Sequence, residues 1–168
     1  AILNTENRSW FILALSRLAL LSGKNPFLFK GELRKIRLVS NRLGYEPCPE
    51  PDEEVEQHIT LNAEGQVWFS SYVFGQRRDG RYEKAHSQNL RIDKAVADRI
   101  ISAFTEYFSN GYDEVFTTDI GNWNMELTNT AGKVYKFSGS LCSSFEVDGI
   151  DLSDLLRDSL KILSGIWL

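Results

Sequence analysis

The chain has 168 residues, 42% hydrophobic and 25% charged, with a formal net charge of −4 and a pI near 5.3. That length supports one real core, and the composition excludes global disorder. The acidic balance argues against a general nucleic-acid binder, which is usually basic over its whole domain.

The longest apolar run, Trp10 to Leu21, is broken by Ser16 and Arg17. It falls short of the ~20 residues that a membrane-spanning helix needs, so it reads as a core helix and no membrane contact is expected. Thr5 or Asn7 can cap this helix, and Ser22-Gly23-Lys24 stops it. Asn25-Pro26 then resembles an N-cap followed by Pro at the first helical position. Phe29, Leu33, Ile36 and Leu43 follow at helical spacing, ending at Gly44. Gly31 within that stretch costs a helix about 1 kcal/mol against Ala. Residues 1–44 are therefore expected to form an N-terminal helical hairpin.

Residues 45–57 carry Pro47, Pro49 and Pro51 with a run of acidic side chains, the composition of an exposed connector. Residues 58–168 are expected to form an antiparallel α+β unit. Ile59 and Leu61 alternate with Thr60 and Asn62, and Ala63-Glu64-Gly65 is a turn. Val67 to Phe74 is a β-rich run, and Tyr82 to Leu90 is a weaker strand pattern. Asp93 opens the clearest helix, with Val96, Ile100, Ala103, Phe104, Tyr107 and Phe108 as its buried stripe and Asn110-Gly111 as its end. Val115 to Ile120 reads as a short strand.

Trp123, Met125 and Leu127 then alternate with Asn124, Glu126 and Thr128 before the Asn129–Gly132 turn, and Val134 to Phe137 returns. Asp151 or Ser153 caps a last helix facing Leu152, Leu155, Leu156, Leu160 and Leu163 inward. The fold class is α+β: a helical hairpin, then an antiparallel sheet of about four to six strands with helices on one face. The Leu61–Phe69 and Leu127–Phe137 segments echo each other, which allows a duplicated ββα unit.

No motif specifies a reaction. Glycine-rich phosphate loops, nucleophile elbows and His-Glu-x-x-His runs are missing from the sequence. Cys48, His58, His86 and Cys142 are singletons, whereas zinc ligands come in close pairs, so neither metal nor cofactor is expected. With two cysteines the simplest expectation is reduced thiols in a cytoplasmic protein. Cys142, at the end of a strand pattern, reads as a buried small hydrophobe, and the two histidines as surface or strand-edge residues. Asp113, Glu114 and Asp119 precede the second hairpin, and Asp148, Asp151, Asp154 and Asp158 surround the last helix. The latter group is explained by turn and helix-dipole preferences.

Charge and aromatic content are the uneven features. Lys24, Lys30, Arg34, Lys35, Arg37 and Arg42 face Glu32 alone, and the acidic connector follows immediately. Within a Debye length of about 8–10 Å that connector offsets the basic stretch. Arg34, Lys35, Arg37 and Arg42 remain a possible basic patch on the second helix. Adjacent Trp68 and Phe69 must point to opposite faces of a strand, and Tyr135 shares a face with Phe137 opposite Val134. Trp68, Tyr72, Trp123 and Tyr135 are the candidate interaction surface. The leading expectation is a non-catalytic module that binds another protein. The alternatives are a small hydrolase or ligand-binding domain with a cleft between helical hairpin and sheet, and nucleic-acid binding through the basic helix, which the net charge disfavours.

Overall fold

Alternation of buried and less buried side chains, not helical spacing, governs the stretch from Ile36 to Asn41. The computed structural model describes residues 28–44, 48–76, 81–111, 117, 120–142, 144–162 and 164–168. In it β1 (Leu33–Asn41), β2 (Glu54–Asn62), β3 (Gln66–Val73) and β4 (Glu83–Arg91) form an antiparallel meander. Helix α1 (Lys94–Asn110) then carries the chain back to the far side of β1. There β5 (Asn122–Asn129) pairs with β1 and β6 (Val134–Ser140) pairs with β5. The six-stranded order is β4-β3-β2-β1-β5-β6. A small hairpin of β7 (Glu146–Val147) and β8 (Ile150–Asp151) leads into α2 (Leu152–Leu160).

The expected second helix is corrected here: its residues Leu33–Asn41 form β1, one of the two inner strands at the middle of the sheet. Gly31, at φ +93°, lies in backbone that no right-handed helix contains. Beyond it, Ile36, Leu38 and Ser40 are buried while Arg37 is exposed and Val39 and Asn41 half-buried, a period of two. The helical spacing arises from a register shift between Leu33 and Lys35. One extra residue there lets Leu33 and Ile36 both face the core at a separation of three. The first expected helix, Thr5 to Leu21, lies outside the described residues, as does most of the expected strand Val115 to Ile120. No helical hairpin stands before the sheet among the described residues. The two echoing hairpins exist as β2–β3 and β5–β6, but β1 separates them, and each reaches its helix through different elements.

Both helices pack on one face of the sheet. From the strands that face receives Ile36, Leu38, Ile59, Leu61, Phe69, Met125 and Leu127, and from α1 it receives Ile100, Phe104 and Phe108. Val96 and Tyr107, expected in the stripe, are half-buried at its margins, and Ala97 takes an inner place. Asp93 occupies the N-cap position but its side chain makes no capping bond. Asp151 does cap α2, accepting from the backbone N–H groups of Ser153 and Asp154 at 2.8 and 3.0 Å.

Aromatic rings interlock through this layer. Phe108 lies 4.5 Å from Phe137, and Phe145 lies 5.2 Å from Trp123 and 5.6 Å from Tyr107, while Phe29 meets Tyr135 edge-on at 5.0 Å. Trp123 fits because its cross-strand partner is Gly139; a Cβ there would stand 2.8 Å from the indole. The C-terminal segment closes the same layer with Ile162, Ile166 and Leu168 buried. It is held by the buried Gln57 side chain, which donates to Gly165 O at 3.1 Å and accepts from Trp167 N–H at 3.3 Å. One amide thereby replaces a missing neighbouring strand.

Two outcomes follow from these contacts. Gly139→Ala overpacks the Trp123 ring and destabilises the protein by about 1–3 kcal/mol; calorimetry should show Tm falling by about 2–4 °C for each kcal/mol. Gln57→Leu keeps the volume but leaves two backbone groups unsatisfied, at about 1–3 kcal/mol. Hydrogen exchange should then quicken first at the Trp167 amide; unchanged protection there would refute the role given to Gln57.

Candidate functional site

The second face of the sheet is free of both helices. Strand register lays Asn89, Trp68, Thr60, Arg37, Glu126 and Lys136 side by side across all six strands. On one side of this row stand Arg91 and Lys35, whose register partners are Gln66 and Asn62. On the other stand Ser87, Ser70, His58 and Val39, and beyond them Lys84, Tyr72 and Glu56. Trp68 is 41% exposed, although it neighbours the buried Phe69. Alternation alone accounts for the contrast.

The polar groups of this face are ordered by a few contacts. Glu126 is shared between two cations, Arg37 Nη1 at 3.3 Å and Lys136 Nζ at 3.4 Å. Partial burial is the largest single influence on its carboxyl and opposes ionisation. The hydrogen bonds and positive charges of Arg37 and Lys136 together outweigh it and hold the pKa below the ordinary 4.5. His58 Nε2 lies 2.7 Å from Glu56 Oε1, and its ring packs 4.7 Å from that of Tyr72. Asn41 donates to the other Glu56 oxygen at 3.2 Å. A histidine–carboxylate pair can move protons, but it needs a reacting group within about 2.6–3.2 Å. Ser70 lies across the strand from His58, yet no hydrogen bond joins them among the described residues.

The candidate interaction residues divide between the two faces. Trp68 and Tyr72 share the open face with His58. Trp123, 1% exposed, and Tyr135 belong to the core. The four do not form one surface. Of the basic residues, Lys35 and Arg37 stand on the open face of β1 and Arg34 is exposed at the register shift beside them. Arg42 lies beyond the strand end, 4.8 Å over the Trp167 ring. Sequence reasoning missed Arg91, Lys84, Lys136 and Glu126 as members of this face, because they join it only through cross-strand register.

Concave regions elsewhere offer less. A cleft of about 700 Å³ beside the C-terminal segment is lined by Arg42, Cys48, Glu53, Glu54, Ile120 and Trp167, among others. Among the described residues neither histidine lines it, so it holds no Cys–His pair. A second cleft of about 700 Å³ lies between the helices near Arg99, Asp151, Asp154 and Asp158. Two of its carboxylates are already engaged, Asp151 as the cap and Asp154 with Arg157 at 2.9 Å. His86 is exposed on the edge strand β4. Cys142 is exposed, not buried as expected, with Sγ 3.0 Å from Thr117 Oγ1; the turn after β6 carries it out of the core layer. Asp113, Glu114 and Asp119 lie outside the described residues. Among the described residues no group of three or more metal-ligating side chains converges, and no helix is long and apolar enough to cross a membrane. Neither protein-family models nor curated proteins give a match to the sequence.

Glu126 supplies a pH test. Its folded pKa is depressed, so its contribution to stability is present above 4.5 and is lost as pH falls through the folded-state value. The Tm difference between wild type and Glu126→Gln should therefore be seen at neutral pH and disappear in acid. An NMR titration should place the carboxyl midpoint below 4.5; a midpoint at or above it would contradict the shared ion pair.

Proposed function

We propose that the protein is a non-catalytic binding module that engages its partner through the open face of the sheet. The observation that carries this reading is Trp68, a large indole left 41% exposed on β3, one strand in from the edge of a face on which neither helix packs. An exposed indole flanked by hydrogen-bonding and charged side chains is the kind of anchor that binding surfaces use. Tyr72 and His58, packed ring to ring, give that anchor a preorganised neighbour. The Trp68 and Phe69 alternation explains why the indole cannot retreat into the core without reversing the strand.

The test is capture from native lysate by the full-length protein and by a Trp68→Ala/Tyr72→Ala variant, each with and without nuclease treatment. Circular dichroism checks that the variant is folded. We expect a partner retained by the wild type and reduced at least about tenfold by the double substitution, equivalent to ~1.4 kcal/mol. Equal capture by both proteins would move binding to another surface, and capture of nothing would remove the basis for a binding module.

A further inference from the structure

We propose that the open face is a platform for single-stranded nucleic acid, with Trp68 stacking on a base and the surrounding cations contacting phosphates. This deepens the reading of that face as the binding surface and rests on it. The register rows of the face contain Lys35, Arg37, Lys84, Arg91 and Lys136 against Glu56 and Glu126. That is a surplus of three positive charges on a chain whose net charge is −4. Strand register therefore gathers cations on this face against the acidic balance of the chain. Among the described residues Lys35, Lys84 and Arg91 have no acidic partner within ion-pair distance. They are available to a polyanion.

The uncharged positions agree with the same ligand. Around Trp68 stand Asn89 and Thr60, which can donate and accept hydrogen bonds to base edges and sugars, while Asn62 donates to Gln66 Oε1 at 2.8 Å and leaves the Gln66 amide N–H groups free to donate. Protein–protein interface cores are, in contrast, depleted in charge and rich in apolar contact. Six strands span about 24 Å at the ~4.8 Å strand spacing, so Arg91 and Lys136 bracket the indole from opposite edges. A duplex keeps its bases stacked internally and would use only the cations. A single strand can splay a base onto an exposed ring, which is why Trp68 selects it.

The experiment is fluorescence anisotropy of the full-length protein with a labelled oligo(dT) of about 12 nucleotides, within the roughly 4–16 that one compact platform covers. Three features are expected together. Affinity should fall steeply with salt, and Lys35→Glu/Arg91→Glu, which leaves the Glu126 ion pairs intact, should reduce the log–log salt slope by about 1.4, or 0.7 for each phosphate no longer neutralised. Trp68→Ala should weaken binding at least about fivefold, the low end for one base–aromatic stack, with Trp68→Phe retaining part of it. Polyphosphate should compete less well than unlabelled oligo(dT) at equal phosphate concentration. Binding unaffected by Trp68→Ala, or equal competition by polyphosphate, would reduce the face to a general cationic surface and overturn the proposal. No oligonucleotide binding would overturn it as well. In that case, partner capture from nuclease-treated lysate that depends on Trp68 and Tyr72 would preserve the binding-module reading and assign the face to a protein.

Discussion

The two-sided pairing of β1 is the constraint on which the remaining structure depends. On one side it meets β2, close in sequence; on the other it meets β5, with Arg37 and Glu126 separated by 89 positions. The first four strands form a meander that local contacts can assemble. Only the crossover through α1 brings β5 and β6 to the vacant edge. Such a pairing forms against loop-closure entropy, and it holds because it completes a buried layer. Ile36 and Leu38 of β1 then lie beside Leu127 and Met125 of β5, under Phe104 and Phe108 of α1.

That pairing separates two chemistries onto two faces. Because side chains alternate, each strand that sends an aliphatic or aromatic residue inward must send its neighbour outward. The inward set is bulky enough to need a glycine opposite Trp123 and to enlist the C-terminal segment through Gln57. The outward set is polar and cationic, with one indole in its midst. The asymmetry that stabilises the core also creates the candidate binding face.

Charge shows most clearly why linear proximity misleads. Arg34, Lys35 and Arg37 are followed by Glu50, Asp52 and Glu53 in the next stretch of the sequence, and along the chain the two blocks offset each other. In the sheet, Lys35 and Arg37 lie in the middle of the open face, while Glu50, Glu53 and Glu54 line the cleft beside the C-terminal segment. They share that face with Arg91 and Lys84 of β4 and Lys136 of β6, which come from distant parts of the chain. Cross-strand register is a property of pairing, and no window along the chain contains it.

Alternating segments declared themselves in the sequence. The β2–β3 hairpin, the β5–β6 hairpin, the α1 stripe at Ile100, Phe104 and Phe108 and the Asp151 cap all follow from local periodicity and capping chemistry, whereas the strand at Tyr82 to Leu90 was a weaker pattern with no alternation of burial. The opposite orientations of Trp68 and Phe69 were equally legible, since adjacent strand residues cannot share a face. The β1 strand was not, because the extra residue near Arg34 gives Leu33 and Ile36 a helix-like interval. Nor could local pattern place Trp123 and Tyr135 in the core while leaving Trp68 outside. Alternation determines that neighbours face opposite ways. Which face the helices cover is decided only when α1 and α2 dock and bury one side of the assembled sheet.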